Sequence, residues 1–232
     1  MIRAVIFDFN GVLVDDEHLH FELFRAVLAR EGVELGERKY HEHFLGFDDR
    51  GCFEAALVGA GQHAGRGRVE DLIGRKAALY AERAREGLRI FPGAAEAVAA
   101  LGARWPLAIC SGALRAEIEL VLELMGVGPY VAAVVAAEDS ERCKPDPEGY
   151  LLALDALRSG VGEDLEAGHC LVVEDSLAGV RAGKLAGMWV VAVAHTYPAA
   201  ELRDAGADAV LDDLDGLGPA WVEHFFAPEV SP

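Results

Sequence analysis

The chain has 232 residues, 52% of them hydrophobic, which is enough for one large domain or for a core with a small second domain. A formal net charge of −18, with no basic run to offset it, excludes a nucleic-acid binder, whose affinity rests on Lys and Arg neutralising phosphates. Its apolar runs fall far short of the roughly 20 residues of a membrane-spanning helix, so no membrane partner is expected. Cys52, Cys110, Cys143 and Cys170 lack CxxC spacing and read as reduced thiols of a cytoplasmic protein.

Ile2 to Phe7 reads as a short apolar strand that ends in Asp8, with Gly11 letting the chain turn just beyond. After Asp15 the pattern becomes helical for about 70 residues. Leu19, Leu23, Val27 and Leu28 repeat at helical spacing up to Gly32, a second helix covers Glu37 to Phe44, and a third follows Asp48-Asp49. Gly59 to Gly67 is a loop, and a long polar helix runs from Val69 to Glu86. This all-helical block reads as an insertion over residues 15–90, with crossings near Val14-Asp15 and Gly87 to Phe91.

From Pro92 strands and helices alternate. Helix Ala94 to Leu101 precedes strand Leu107 to Cys110, and a helix from Ala113 to Met125 precedes strand Val131 to Val135. Asp146-Pro147 looks like a cap and first turn of a helix reaching Gly160. Strand Cys170 to Val173 ends in Glu174-Asp175, and Ser176 is placed to cap the next helix. Strands Trp189 to Val193 and Ala209 to Leu211, then a helix from Leu217 to Phe226 and a frayed tail from Pro228, finish the chain. Alternating βα units predict an α/β fold: a doubly wound, Rossmann-like parallel sheet formed by residues 1–14 and 91–232. Ligands of such sheets bind outside the carboxyl ends of the strands.

Four strands send polar groups to that edge: Asp8 and Asn10, Ser111 and Gly112, Lys144, then Glu174 and Asp175. Taken singly, each has a plainer role as a turn, a cap or a solvated loop charge. Together they have one chemical logic. Asp8, Glu174 and Asp175 suit a hard cation such as Mg²⁺, while Lys144, a hydroxyl and backbone amides suit a phosphoryl group beside a carboxylate nucleophile.

These residues, in this order, resemble the haloacid dehalogenase superfamily, in particular its phosphatases and β-phosphoglucomutase-like members. The first motif, DxDGVxxD, stands as Asp8-Phe9-Asn10-Gly11-Val12-Leu13-Val14-Asp15, and Ser111, Lys144 and Glu174-Asp175 match the other three. The resemblance covers nearly the whole chain. It implies that Asp8 is nucleophile and Mg²⁺ ligand, that Ser111 and Lys144 hold phosphoryl oxygens, and that Glu174, Asp175 and the Asn10 backbone carbonyl complete the metal site. It also implies a helical cap inserted after the first motif. Gly112, His20 and Arg50 are expected to contact substrate.

One position departs from the family pattern. Where the phosphatases carry a proton-shuttling aspartic acid, this chain has Asn10, and an amide cannot shuttle a proton. Three readings remain open: slow turnover or turnover of good leaving groups, a proton from another group such as His20, or binding of phosphoesters without catalysis. The expected activity is Mg²⁺-dependent hydrolysis of a small phosphorylated metabolite by a monomer or weak dimer. A phosphomutase is disfavoured because Leu45-Gly46 of the cap loop is followed by Asp48 and Asp49, with Arg50 alone basic. A C–P hydrolase would need a cap lysine, Lys39 or Lys76, as a Schiff-base nucleophile. His41-x-His43, on a polar helix, reads as a solvated face.

Overall fold

The computed structural model describes residues 1–44 and 47–226. Strand β1 (Ala4–Phe7) is buried on both faces: Val5 and Phe7 join one apolar cluster, Ala4 and Ile6 another. A strand of this kind must be covered from both sides. The chain next forms α1 (Glu17–Ala29), α2 (Glu37–His43), α3 (Asp49–Gly59) and α4 (Arg66–Glu86). These four helices share an apolar cluster in which Phe21, Phe24, Tyr40, Phe53, Leu57, Val69 and Leu72 are buried. The predicted crossings lie side by side: the Asp15 amide donates to the Arg89 carbonyl at 2.8 Å and the Phe91 amide to the Leu13 carbonyl at 3.1 Å.

The remaining elements are α5 (Ala94–Gly102), β2 (Leu107–Cys110), α6 (Arg115–Met125), β3 (Ala133–Val135), α7 (Glu148–Val161), β4 (Cys170–Glu174), α8 (Leu177–Leu185), β5 (Trp189–Val193), α9 (Ala199–Asp204), β6 (Ala209–Leu211) and α10 (Pro219–Phe225). The strands form one parallel sheet in the order β3-β2-β1-β4-β5-β6. Residues of α5, α6 and α10 pack with Val5 and Phe7, whereas α7, α8 and α9 pack with Ala4 and Ile6. This is the expected Rossmann-like doubly wound architecture. Sequential strands run outward from β1 in one direction and then from β4 in the other, so the switch point lies between β1 and β4.

Three local expectations are revised. The segment after Ser111 stays irregular through Leu114, and α6 starts at Arg115 rather than Ala113. Pro147 takes the N-cap position of α7, and the Asp146 carboxylate accepts from the Glu148 amide at 3.0 Å, a local turn that competes with a cap. Helix α9 was not foreseen, because its six residues bury only Leu202 and carry no readable period. Ser176 caps α8 as expected, accepting from the Gly179 amide at 3.0 Å. Leu45-Gly46 and the tail from Pro228 lie outside the described residues.

Candidate active site

Parallel pairing of β1 with β4 brings Asp8 beside Glu174 and Asp175 at the carboxyl edge. Lys144, from the loop after β3, crosses to them: its Nζ donates to Asp8 Oδ1 at 2.6 Å and to Glu174 Oε1 at 2.7 Å. Glu174 is fully buried and saturated with donors. Its Oε1 also accepts from the Tyr150 hydroxyl at 2.9 Å, while Oε2 accepts from the amides of Asp175 and Ser176, both at 2.9 Å. A Cβ at Gly179 would collide with this carboxylate, so the first turn of α8 can approach it only as glycine. Such a carboxylate is better suited to aiming Lys144 than to ligating a cation directly. Asp8 and Asp175 are the freer oxygen donors.

Asp175 accepts from the Thr196 hydroxyl beyond β5, a contact the sequence reading did not include. Gly11, at φ 77°, passes so close to the Asp175 carboxylate that a side chain there would overlap it. His195, from the same loop, stacks on Phe91 at 3.9 Å and meets the Gly11 carbonyl at 2.8 Å, fixing the turn from behind.

The charges in this cluster do not balance. Asp8, Glu174 and Asp175 each present a carboxylate oxygen within 4.8 Å of the others, against the single ammonium of Lys144. Burial, opposed by Lys144 and reinforced by Glu174, pushes the Asp8 carboxyl up to about 7. Burial and the two neighbouring carboxylates hold Asp175 well above the usual range. Burial acts on Glu174 in the same direction, yet Lys144 and its other donors keep it below its ordinary value. Two charges left over in a buried, all-oxygen donor set are what a hard divalent cation would offset, so these residues fit Mg²⁺.

Next to this cluster, Asn10 sits against the helical insertion. Its Nδ2 donates to Asp16 Oδ1 at 2.9 Å and lies 3.3 Å from His20 Nε2, while the Ser111 hydroxyl donates to its Oδ1 at 3.3 Å. Asp16, 1% exposed, also accepts from the Tyr80 hydroxyl at 2.6 Å. Burial works against the charged form of both partners, but the pairing prevails: Asp16 is lowered and His20 raised. The residue that breaks the family pattern is therefore half-buried, beside a buried carboxylate–imidazole pair. Ser111 also caps its own loop, accepting from the Ala113 amide at 3.2 Å, and Gly112 is exposed beside it.

Deeper in the seam between insertion and core, Lys76 is completely buried. Its Nζ donates to both Asp49 oxygens, at 2.7 and 2.9 Å, and lies 3.3 Å from Glu117 Oε1 on α6. Although burial favours the neutral amine, the two carboxylates raise its pKa and keep it charged. A Schiff-base nucleophile must be neutral, which counts against the C–P hydrolase reading. Lys39, the other candidate, rests over the Phe44 ring at 5.7 Å.

Arg50, 42% exposed, lies 3.8 Å from Glu70 and 4.0 Å from Glu54 within the insertion. Arg115, one turn past Ser111, is held by Asp139 and the Val134 carbonyl rather than facing Asp8. His41 and His43 belong to no metal-binding group among the described residues. No helix among those residues is long and apolar enough to cross a membrane.

Comparison with known proteins shows the family to which the chain belongs. Residues 2–187 match the model of the haloacid dehalogenase-like hydrolases. Validoxylamine A 7'-phosphate phosphatase of Streptomyces hygroscopicus is 32% identical over 216 residues, covering 92% of this chain and 95% of that one. Phosphoglycolate phosphatase of Rhodospirillum rubrum is 29% identical, over 94% of this chain and 90% of its own length. Among solved structures, CbbY from Rhodobacter sphaeroides, in an aspartate-to-asparagine mutant complexed with xylulose-1,5-bisphosphate, superposes with a TM-score of 0.81 at 27% identity, covering 94% of this chain and 97% of that one. The chain belongs to the haloacid dehalogenase-like hydrolase family and is a phosphatase of that family.

Proposed function

We propose that this phosphatase hydrolyses a small phosphorylated metabolite through a phosphoryl group carried on Asp8, with Mg²⁺ held by Asp8, Asp175 and the Asn10 backbone carbonyl. The observation that carries the reading is the convergence of Lys144 on Asp8 and Glu174, at 2.6 and 2.7 Å, beside Asp175. Bound Mg²⁺ would supply positive charge to the phosphoryl oxygens. Lys144 and the Ser111 hydroxyl do the same from the protein side, and Glu174 keeps Lys144 aimed. An Asp8 carboxylate oxygen forms a bond to phosphorus as the bond to the leaving oxygen breaks. Water then attacks the aspartyl-phosphate, releasing inorganic phosphate and restoring the carboxylate.

The leaving oxygen departs on the side of Asn10, which has no proton to give. Sugar alkoxides are therefore poor leaving groups for this chain unless His20, 3.3 Å from the Asn10 amide, supplies a proton, whereas acyl phosphates need none. Loss of a general acid typically costs 10²–10⁴-fold, so slow turnover of sugar phosphates follows. The CbbY mutant with an asparagine in place of an aspartate still holds a phosphorylated sugar, which supports the view that such a change spares binding. The four-helix insertion is assigned as a cap over the site, and the protein is taken to act in the cytoplasm as a monomer or weak dimer.

The test is phosphate release from acetyl phosphate and a panel of sugar phosphates, with and without Mg²⁺, alongside an Asp8→Asn control. Mg²⁺-dependent release abolished by Asp8→Asn supports the assignment. Release indifferent to both Mg²⁺ and Asp8 overturns it.

A further inference from the structure

The seam between the insertion and the core carries an arrangement of charge that bears on which phosphoesters enter. It contains three buried carboxylates: Asp16 from the start of α1, Asp49 from α3 and Glu117 from α6. Facing them are two groups able to be cationic, Lys76 and His20. Lys76 is taken by Asp49 and Glu117 at 2.7 and 3.3 Å, and His20 by Asp16 at 3.3 Å. Arg50, the basic residue nearest in sequence to Asp49, is paired with Glu54 and Glu70 at 4.0 and 3.8 Å. Among the described residues of this seam, every cation already has a carboxylate partner.

A phosphoryl group on Asp8 meets Lys144 and the Mg²⁺ site. A second phosphate on the same substrate, projecting toward Asn10 and the seam, would meet no unspent cation. Burying an anion without a partner is costly, and placing it against fixed carboxylates adds repulsion. A hydroxyl loses little there, and an ammonium gains carboxylate neighbours.

We propose that Asp49 and Glu117, braced by Lys76, select monophosphates whose remaining portion is neutral or cationic and reject substrates with a second phosphate. This rests on the assignment of Asp8 as phosphoryl acceptor, and it differs from a general cap effect because it depends on charge. Lys76 is the positioning residue: without it the two carboxylates would repel each other and the pattern would be lost.

The experiment compares glucose 6-phosphate, glucosamine 6-phosphate and glucose 1,6-bisphosphate with the intact chain and Mg²⁺. Each is read twice, as kcat/KM and as Kd by calorimetry. The bisphosphate is expected to be at least about tenfold poorer than glucose 6-phosphate by both measures, a modest difference for like-charge rejection. Glucosamine 6-phosphate should equal or exceed glucose 6-phosphate. Glu117→Gln and Asp49→Asn keep size and hydrogen bonding but remove charge, and each should narrow the bisphosphate deficit by threefold or more. General damage from either change would lower all three ligands alike and leave the ratios intact.

Bisphosphate accepted as well as glucose 6-phosphate, or ratios unmoved by both substitutions, would overturn the proposal while leaving the phosphatase assignment standing. Absence of turnover with the selectivity retained in Kd would support the proposal and count instead against Asp8 chemistry.

Discussion

Replacing Asn10 with aspartic acid tests the relation between this site and its one departure from the family pattern. The Asn10 amide nitrogen donates to Asp16 Oδ1 at 2.9 Å, so an introduced carboxyl would face that carboxylate at about the same distance. Two like charges about 3 Å apart repel by about 5 kcal/mol at an effective dielectric of 20. That is worth up to about 4 pKa units, of which neighbouring His20 cancels a part. The new carboxyl therefore keeps its proton toward neutral pH, shared with Asp16, and is a competent acid for a leaving alkoxide. For glucose 6-phosphate with Mg²⁺, Asn10→Asp should raise kcat/KM by about 10²–10⁴-fold, about 3–5 kcal/mol on the barrier. For acetyl phosphate, whose leaving group needs no proton, kcat/KM should change by no more than a few-fold, because it reports only transfer to Asp8. An equal gain for both substrates, or none for the sugar phosphate, would refute the assignment of residue 10 to the leaving-group side.

Lys144→Met removes the one ammonium among three carboxylates and should lower kcat/KM for acetyl phosphate by at least about 10³-fold, read by the same phosphate-release assay. Mg²⁺ at 100 times its dissociation constant should stabilise the protein by about 2.7 kcal/mol, raising Tm by about 5–10 °C for a chain of this size; Asp175→Asn should abolish that shift. The metal-free protein should lose stability as pH rises from about 4 to about 7. In that window Asp8 holds its proton in the folded state, up to about 7, while the unfolded chain has already released it near 4. The native state then binds more protons, and stability falls with pH by at most about 1.4 kcal/mol per unit for this group. A flat denaturant midpoint over that range would contradict it. Lys76→Met leaves Asp49 and Glu117 buried without a counter-charge and should cost about 3–5 kcal/mol, a Tm loss of about 6–20 °C. Adding Asp49→Asn and Glu117→Gln should restore much of the loss, as followed by thermal unfolding.

Much of the site was legible because it lies on elements whose ends the chain marks plainly. Asp8, Ser111 and Glu174-Asp175 each follow an apolar run directly and Lys144 follows one through a polar loop, and a parallel sheet directs the carboxyl ends of its strands to one edge whatever the details of packing. The same rule extended to β5 would have drawn in Thr196, which lies just past Val193. The Asp16–His20 pair also had a signal, since residues four apart share a helix face. Tyr150 had none: its reach to Glu174 depends on how α7 lies against the sheet.

Composition, periodicity and motif order determined the fold class, the helical insertion and the chemical character of the strand-end groups, because each depends on residues near one another in sequence. The tertiary structure alone decided how those groups are employed. Glu174 proved to be saturated with protein donors, Arg50 was paired with Glu54 and Glu70, and Lys76 was drawn between Asp49 and Glu117. Such assignments depend on distances of a few ångströms between residues tens of positions apart. Those distances are set by packing of the insertion against the core, which no local pattern in the chain encodes.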